Sequence, residues 1–295
     1  MPAEGTAVTQ RHIESIIPSV PASDGAGVKL RRSLGRNPAQ RHDPFLMLDE
    51  FFSDNPDDYL AGFPTHPHRG FETVTYMLDG RMRHEDSGGH RGDLGPGDVQ
   101  WMTAARGIIH SEMPQQTQGR MRGFQLWLNL PAAEKMRPAA YRDIPSRDIP
   151  SVELPDVGTV RVIAGSFANG PDRTTGPIGG NTTEPVFLDV RLAPGASLEV
   201  PLPAGHSAFV YPYDGLVAIG PDRRLLPNRA AGLLSDGDTV SLAAGTDGAG
   251  LLLLAGKPLR EPVVQYGPFV MNSWEEIERA VLDFQRGQFL GPPAG

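Results

Sequence analysis

The chain has 295 residues, enough for two domains with separate cores, and its formal net charge of −8 excludes the basic face that non-specific nucleic-acid binding needs. It contains no cysteine, which excludes disulfides, Cys-zinc sites and thiol catalysis and points to a reducing compartment. The opening MPAEGTAVTQRH lacks the layout of a signal peptide, and the longest apolar run, Leu251 to Ala255, is too short to span a membrane; a cytoplasmic protein with no membrane and no direct nucleic-acid partner is expected.

In chain order, residues 12–17 read as an opening strand and 28–34 as a second, and residues 35–44 read as a loop punctuated by Asn37-Pro38 and Asp43-Pro44. Phe45 to Leu48 is a compact apolar run that ends at Asp49-Glu50, and residues 53–59 (SDNPDDY) form a polar turn. Residues 73–78, β-branched and aromatic, stop at Asp79-Gly80. Residues 82–86, 93–94 and 99–102 continue a meander, and residues 123–130 close it with apolar alternation at Phe124, Leu126 and Leu128. The charged, proline-bearing stretch 132–155 reads as a linker, and 165–183 as a loop. Short strands over 185–192, 197–202, 208–212, 216–219, 239–242 and 251–254 follow, separated by turns such as Ala244-Gly245. A terminal helix is expected from the capping box Ser273-x-x-Glu276 and the spacing of Trp274, Ile277, Val281 and Phe284, with Gly287 as its stop and a barrel as its support. The expected domains are therefore 1–135, a linker 136–156, and 157–295 carrying the terminal helix.

Two short motifs carry the chemistry: His66-x-His68 and His110-x-Glu112. Strand side chains two apart share a face, so each pair puts two donors on one wall. The turns between them, Asp79-Gly80, Ser87-Gly88-Gly89 and Gly95-Pro96-Gly97-Asp98, fold the second pair back towards the first. Three imidazoles and one carboxylate suit a divalent first-row metal. His84-Glu85-Asp86 and His90 fall in a Gly-rich hairpin and read as supporting or loop residues, while His12, His42 and His206 have no partner at ligand spacing. Ser111 lies outside any nucleophile elbow. In the second half no His-x-His or His-x-Glu recurs, so the same architecture is expected there without the metal.

His66-x-His68-x-x-x-Glu72 and Pro96-Gly97-Asp98 with Gly107-x-x-His110 resemble the two motifs of the cupin superfamily. Within it, HPHRGFETV (66–74), HEDSGGHRGDLGPGDVQWMTAARGIIHSEMP (84–114) and QLWLNLP (125–131) are similar to segments of the pirin family. So are RRSLGR and DPFLMLDEF in the region 31–51. The resemblance implies an all-β fold of two tandem cupin-type jelly-roll barrels with a C-terminal helix. It also implies one metal held by His66, His68, His110 and Glu112, with Fe(II) expected and Ni, Cu, Zn or Mn able to replace it. Glu72 stands at the usual cupin ligand position but reads here as a supporting residue.

The function that the resemblance implies is a quercetin 2,3-dioxygenase type of oxidoreductase acting on a flavonol or similar enol with O2. Glu112 or Glu72 would serve as the base, and Phe63, Phe71, Trp101 and Met102 are candidate pocket walls or core. The alternative is a redox-sensing regulatory protein that binds a protein partner without turnover. A third reading, a metal-assisted isomerase, would act without O2 uptake.

Overall fold

The computed structural model describes residues 8–37 and 40–290. Its first strand, Ile13–Pro18 (β1), is followed by Val20–Asp24 (β2), Val28–Arg32 (β3), Phe45–Ser53 (β4), Phe63–His68 (β5), Phe71–Asp79 (β6), Met82–Asp86 (β7), Arg91–Leu94 (β8), Val99–Thr103 (β9), Ile108–Pro114 (β10), Met121–Asn129 (β11) and Ala140–Ile144 (β12). A capped helix, Trp274–Gln285 (α1), lies near the end, and no described helix is long and apolar enough to cross a membrane.

Two compact units result, and both are discontinuous in sequence. One joins Val20–Asp148 to the chain from Leu259 onward; the other joins the chain up to Ser19 to Ile149–Pro258. This differs from a division at 135 and 157, because backbone pairing made the assignment and no local signal announces it. β1 pairs with Ala230–Leu234 in the second unit. α1 packs Ile277 and Ala280 with Phe269, Met271 and Phe289 in the first unit, beside Ile109 of β10. Nor is 136–156 a linker: β12 pairs with β9, and Ser151–Leu154 pairs with Gly158–Ala164.

The first unit is built from two large antiparallel sheets and a small two-stranded one, Val264–Tyr266 with Phe269–Met271. One large sheet has seven strands in the order β12-β9-β6-β11-β4-β3-β2, and the other has four, β5-β10-β7-β8. Their inner faces meet, since Thr75 of β6 reaches Glu112 of β10. The second unit is a nine-stranded antiparallel sheet whose interior is filled by buried aliphatics, among them Val160, Val162, Leu188, Val190, Val210 and Leu251. Its strands Ser207–Ile219 and Thr239–Gly256 each run through a position that reads as a break. The register shifts at Pro212/Asp214 and Gly215/Val217 show why: an extra residue bulges and bends the strand without ending it. Residues 165–183 are not all loop either; Ser166–Asn169 and Asp172–Thr175 form a hairpin.

Candidate metal centre

β5 is an edge strand, which is why Pro64 and Pro67 are tolerated inside it. It pairs with β10 so that His110 stands directly opposite His66 and Ile108 opposite His68. The chain then turns at Gly70, whose φ of +93° places a hypothetical Cβ against the Val270 carbonyl oxygen, so only glycine fits. The two ligand pairs are thus joined by a ladder, as the meander requires.

His66, His68 and His110 converge. Their ligand-capable atoms all lie within 4.8 Å of one another. The ring centroids are 4.3 Å apart for His66–His110, 4.7 Å for His66–His68 and 4.9 Å for His68–His110. His66 donates from Nδ1 to the Pro64 carbonyl oxygen at 2.8 Å, which leaves its Nε2 lone pair turned to His68 Nε2 at 3.0 Å. Two ligands bound at about 2.1 Å and a right angle to an ion would also lie about 3.0 Å apart. His110 Nε2 is buried without a hydrogen-bond partner. Burial, followed by the neighbouring imidazoles, holds His68 and His110 well below the ordinary histidine range, so both are neutral donors near pH 7. Imidazole nitrogens gathered this closely, two of them on buried neutral rings, make a donor set that fits a metal.

Glu112 is buried in the same unit but outside that triangle. Its Oε1 accepts from Thr75 Oγ1 at 2.9 Å and its Oε2 from Gln125 Nε2 at 3.3 Å. A register shift between His110 and Glu112 brings Glu112 opposite Phe63. His66, His68, Glu112 and Gln125 all line one cavity of about 600 Å³, walled by Phe63, Met47, Phe51 and Trp127. Trp127 also packs edge-on to His68 at 5.3 Å, and Phe71 does so at 5.2 Å.

Glu72 is not brought to this cluster. It is fully buried, but it lies one residue from Phe71 and three from Thr75, both inward positions, so the strand period turns it to the opposite face. There it accepts from Thr103 Oγ1 at 2.6 Å and stands 3.8 Å from Arg137. A base role at the three histidines is therefore corrected to a structural one. Trp101 and Met102 are core residues, absent from the cavity wall that Phe63 supplies.

Sequence reasoning gave no place to Thr75, Gln125 and Trp127, although Gln125 and Trp127 are the alternate positions of QLWLNLP that face inward. His84, read as a supporting or loop residue, is fully buried with Nδ1 3.2 Å from His110 Nδ1, and its ring stacks on Tyr141 at 5.2 Å. One of those two nitrogens carries the shared proton, so His84 orients the His110 ring. His90 stays in the β7–β8 turn on Asp86, and His12 meets Ser235 in the other unit. His206 is mostly buried 3.7 Å from Glu184, with no second histidine.

The pirin family model matches residues 27–128, and the model of the pirin C-terminal cupin domain matches 187–290. A Pseudomonas aeruginosa protein provisionally named quercetin 2,3-dioxygenase is 56% identical over 269 residues, covering 90% of this chain and 94% of that one. Human pirin is 44% identical over 271 residues, covering 90% and 89%. The solved structure of quercetin 2,3-dioxygenase from Acinetobacter baumannii superposes with a TM-score of 0.87 at 34% identity, covering 95% of this chain and 99% of that one. With both domain models matched in order, and relatives this similar along nearly the whole chain, the protein belongs to the pirin family of two-barrel cupins.

Proposed function

We propose that this pirin is a metal-dependent dioxygenase of the quercetin 2,3-dioxygenase type, with one divalent metal, Fe(II), held by His66, His68, His110 and Glu112. The observation that carries the reading is the triangle of imidazole nitrogens, two on buried rings and one on the half-buried His66, with His66 and His68 facing a cavity large enough for a three-ring phenol. The metal would supply Lewis acidity and redox exchange with O2. The chain supplies the rest. Phe63, Phe51, Met47 and Trp127 offer apolar walls to an aromatic ring. Glu112 is the carboxyl group nearest to hand for the proton of an enolic hydroxyl, and Thr75 and Gln125 fix its direction. The similarity to proteins that bear the quercetinase name supports the choice of substrate class.

The test is O2 uptake by anaerobically Fe(II)-loaded protein on addition of quercetin, beside a His66→Ala, His110→Ala double variant. Uptake that the double variant loses is the expected result. One iron per chain with no uptake would overturn the dioxygenase and leave the redox-sensing partner protein as the better reading.

A further inference from the structure

The cavity floor has a polar row whose far end, Arg32 and Asp49, none of the proposed metal ligands touches. Asp49 of β4, Gln125 of β11 and Thr75 of β6 stand side by side in register across the floor, and Arg32 of β3 continues the row opposite Asp49. Arg32 holds Asp49 through two bonds, Nε to Oδ1 at 2.7 Å and Nη2 to Oδ2 at 2.6 Å, and Nη2 also reaches Asp24 Oδ2 at 2.9 Å. Its Nη1 has no partner among the described residues, and Arg32, Asp49 and Asp24 all line the cavity. With strands about 4.8 Å apart, Arg32 lies roughly 10 Å along the floor from Gln125, which touches Glu112.

Asp49 is buried while Arg32 is 23% exposed, and burying a carboxylate beside one guanidinium is a poor source of stability, since an apolar residue of the same volume does as well or better. This pair faces a cavity and keeps a donor unspent. Two carboxyl groups around one guanidinium leave no surplus positive charge, so an anionic group gains little there. A neutral hydroxyl does gain: it accepts from Nη1 and donates to a carboxyl oxygen. We infer that Arg32, oriented by Asp49 and Asp24, is the specificity-determining residue for the far end of the substrate, selecting extended aromatic molecules with a neutral hydroxyl roughly 10 Å from the end that meets Gln125 and Glu112. This rests on the dioxygenase reading above, and it adds a recognition site remote from the chemistry.

Binding to metal-loaded wild-type protein, held anaerobically and followed by tryptophan fluorescence, tests it with three ligands. They are quercetin, the analogue lacking both hydroxyls of the pendant ring, and the analogue lacking both hydroxyls of the fused benzo ring. One of the two analogues is expected to bind about tenfold more weakly than quercetin, the effect of losing a hydrogen bond to a charged group. In an Arg32→Met, Asp49→Leu double variant, which removes both charges together, that difference should shrink to less than about twofold while metal content stays unchanged. If the double variant loses its metal, Arg32→Lys, which keeps the charge and shortens the donor's reach, takes its place with the same expected outcome. Equal binding of all three flavonols by the wild type overturns the subsite alone, as does discrimination that survives in the variant. Binding of none overturns the flavonol reading and the subsite with it.

Discussion

His84 shows how a residue outside the ligand set shapes the centre. Its Nδ1 contact with His110 occupies His110 Nδ1 and holds that ring in place, and burial lowers its own basicity, so it stays a neutral partner. His84→Ala should weaken metal affinity about 10- to 100-fold, measured by competition with a chromogenic chelator, while the fold survives. Glu72 makes the opposite case. Glu72→Gln should leave metal content and the KM for a flavonol unchanged and cost about 1 kcal/mol in urea unfolding, because its contacts with Thr103 and Arg137 lie on the face away from the three histidines. A loss of metal in that variant would put Glu72 back at the site. At this scale the sequence was informative where period two applies. It places His66 with His68, and His110 with Glu112, on shared faces. It could not say that Glu72, six residues after His66, crosses a turn and changes sheet, so that its face is set by a new strand.

Among the elements, the turn after β5 is held by Lys135. Its Nζ donates to the Gly70 carbonyl oxygen at 2.6 Å, Asn129 Oδ1 at 2.6 Å and the Val270 carbonyl oxygen at 3.1 Å, tying the β5–β6 turn, the end of β11 and the Phe269–Met271 strand together. Burial pushes Lys135 down to about 7, against more than 10 in the unfolded chain. Between those values the unfolded chain binds the extra proton, so folding stability from this group rises with pH across that window, and the penalty is fully present below about pH 7. Lys135→Met should flatten the rise and strand two carbonyl groups, at a cost of about 2–4 kcal/mol at pH 9, by chemical denaturation. Helix α1 is closed by a reciprocal capping box between Ser273 and Glu276. Ser273→Ala should therefore cost about 1 kcal/mol. The helix was legible from its cap and spacing, but its stripe was not. Trp274 is 59% exposed, and Ala280 takes the buried place beside Ile277, where both pack against Phe269, Met271 and Phe289.

Across the whole molecule, two barrel units share one architecture and divide the work. The interior that holds histidines and a cavity in one unit is packed with valine and leucine in the other. Metal titration should saturate at one ion per chain. Leu253→Ala, in the filled interior, should destabilise that unit by about 2–5 kcal/mol while the metal stoichiometry holds at one, read by elemental analysis beside calorimetry. A second ion per chain would contradict the division.

The sequence by itself determined the strand-rich class, the two short pairs of candidate ligands, the lack of any His-x-His or His-x-Glu motif in the second half and the family likeness, because all of these rest on local spacing or on matching segments. Only the tertiary structure decided that β1 serves the second unit and α1 the first. It alone set Arg32 and Asp49 on the cavity floor, His84 behind His110, and Glu72 outside the site. Those facts depend on register and on pairing between segments up to about two hundred residues apart, such as Ile13 with Leu234. Such pairings are chosen by the total burial and hydrogen bonding of the folded chain, which no short stretch encodes.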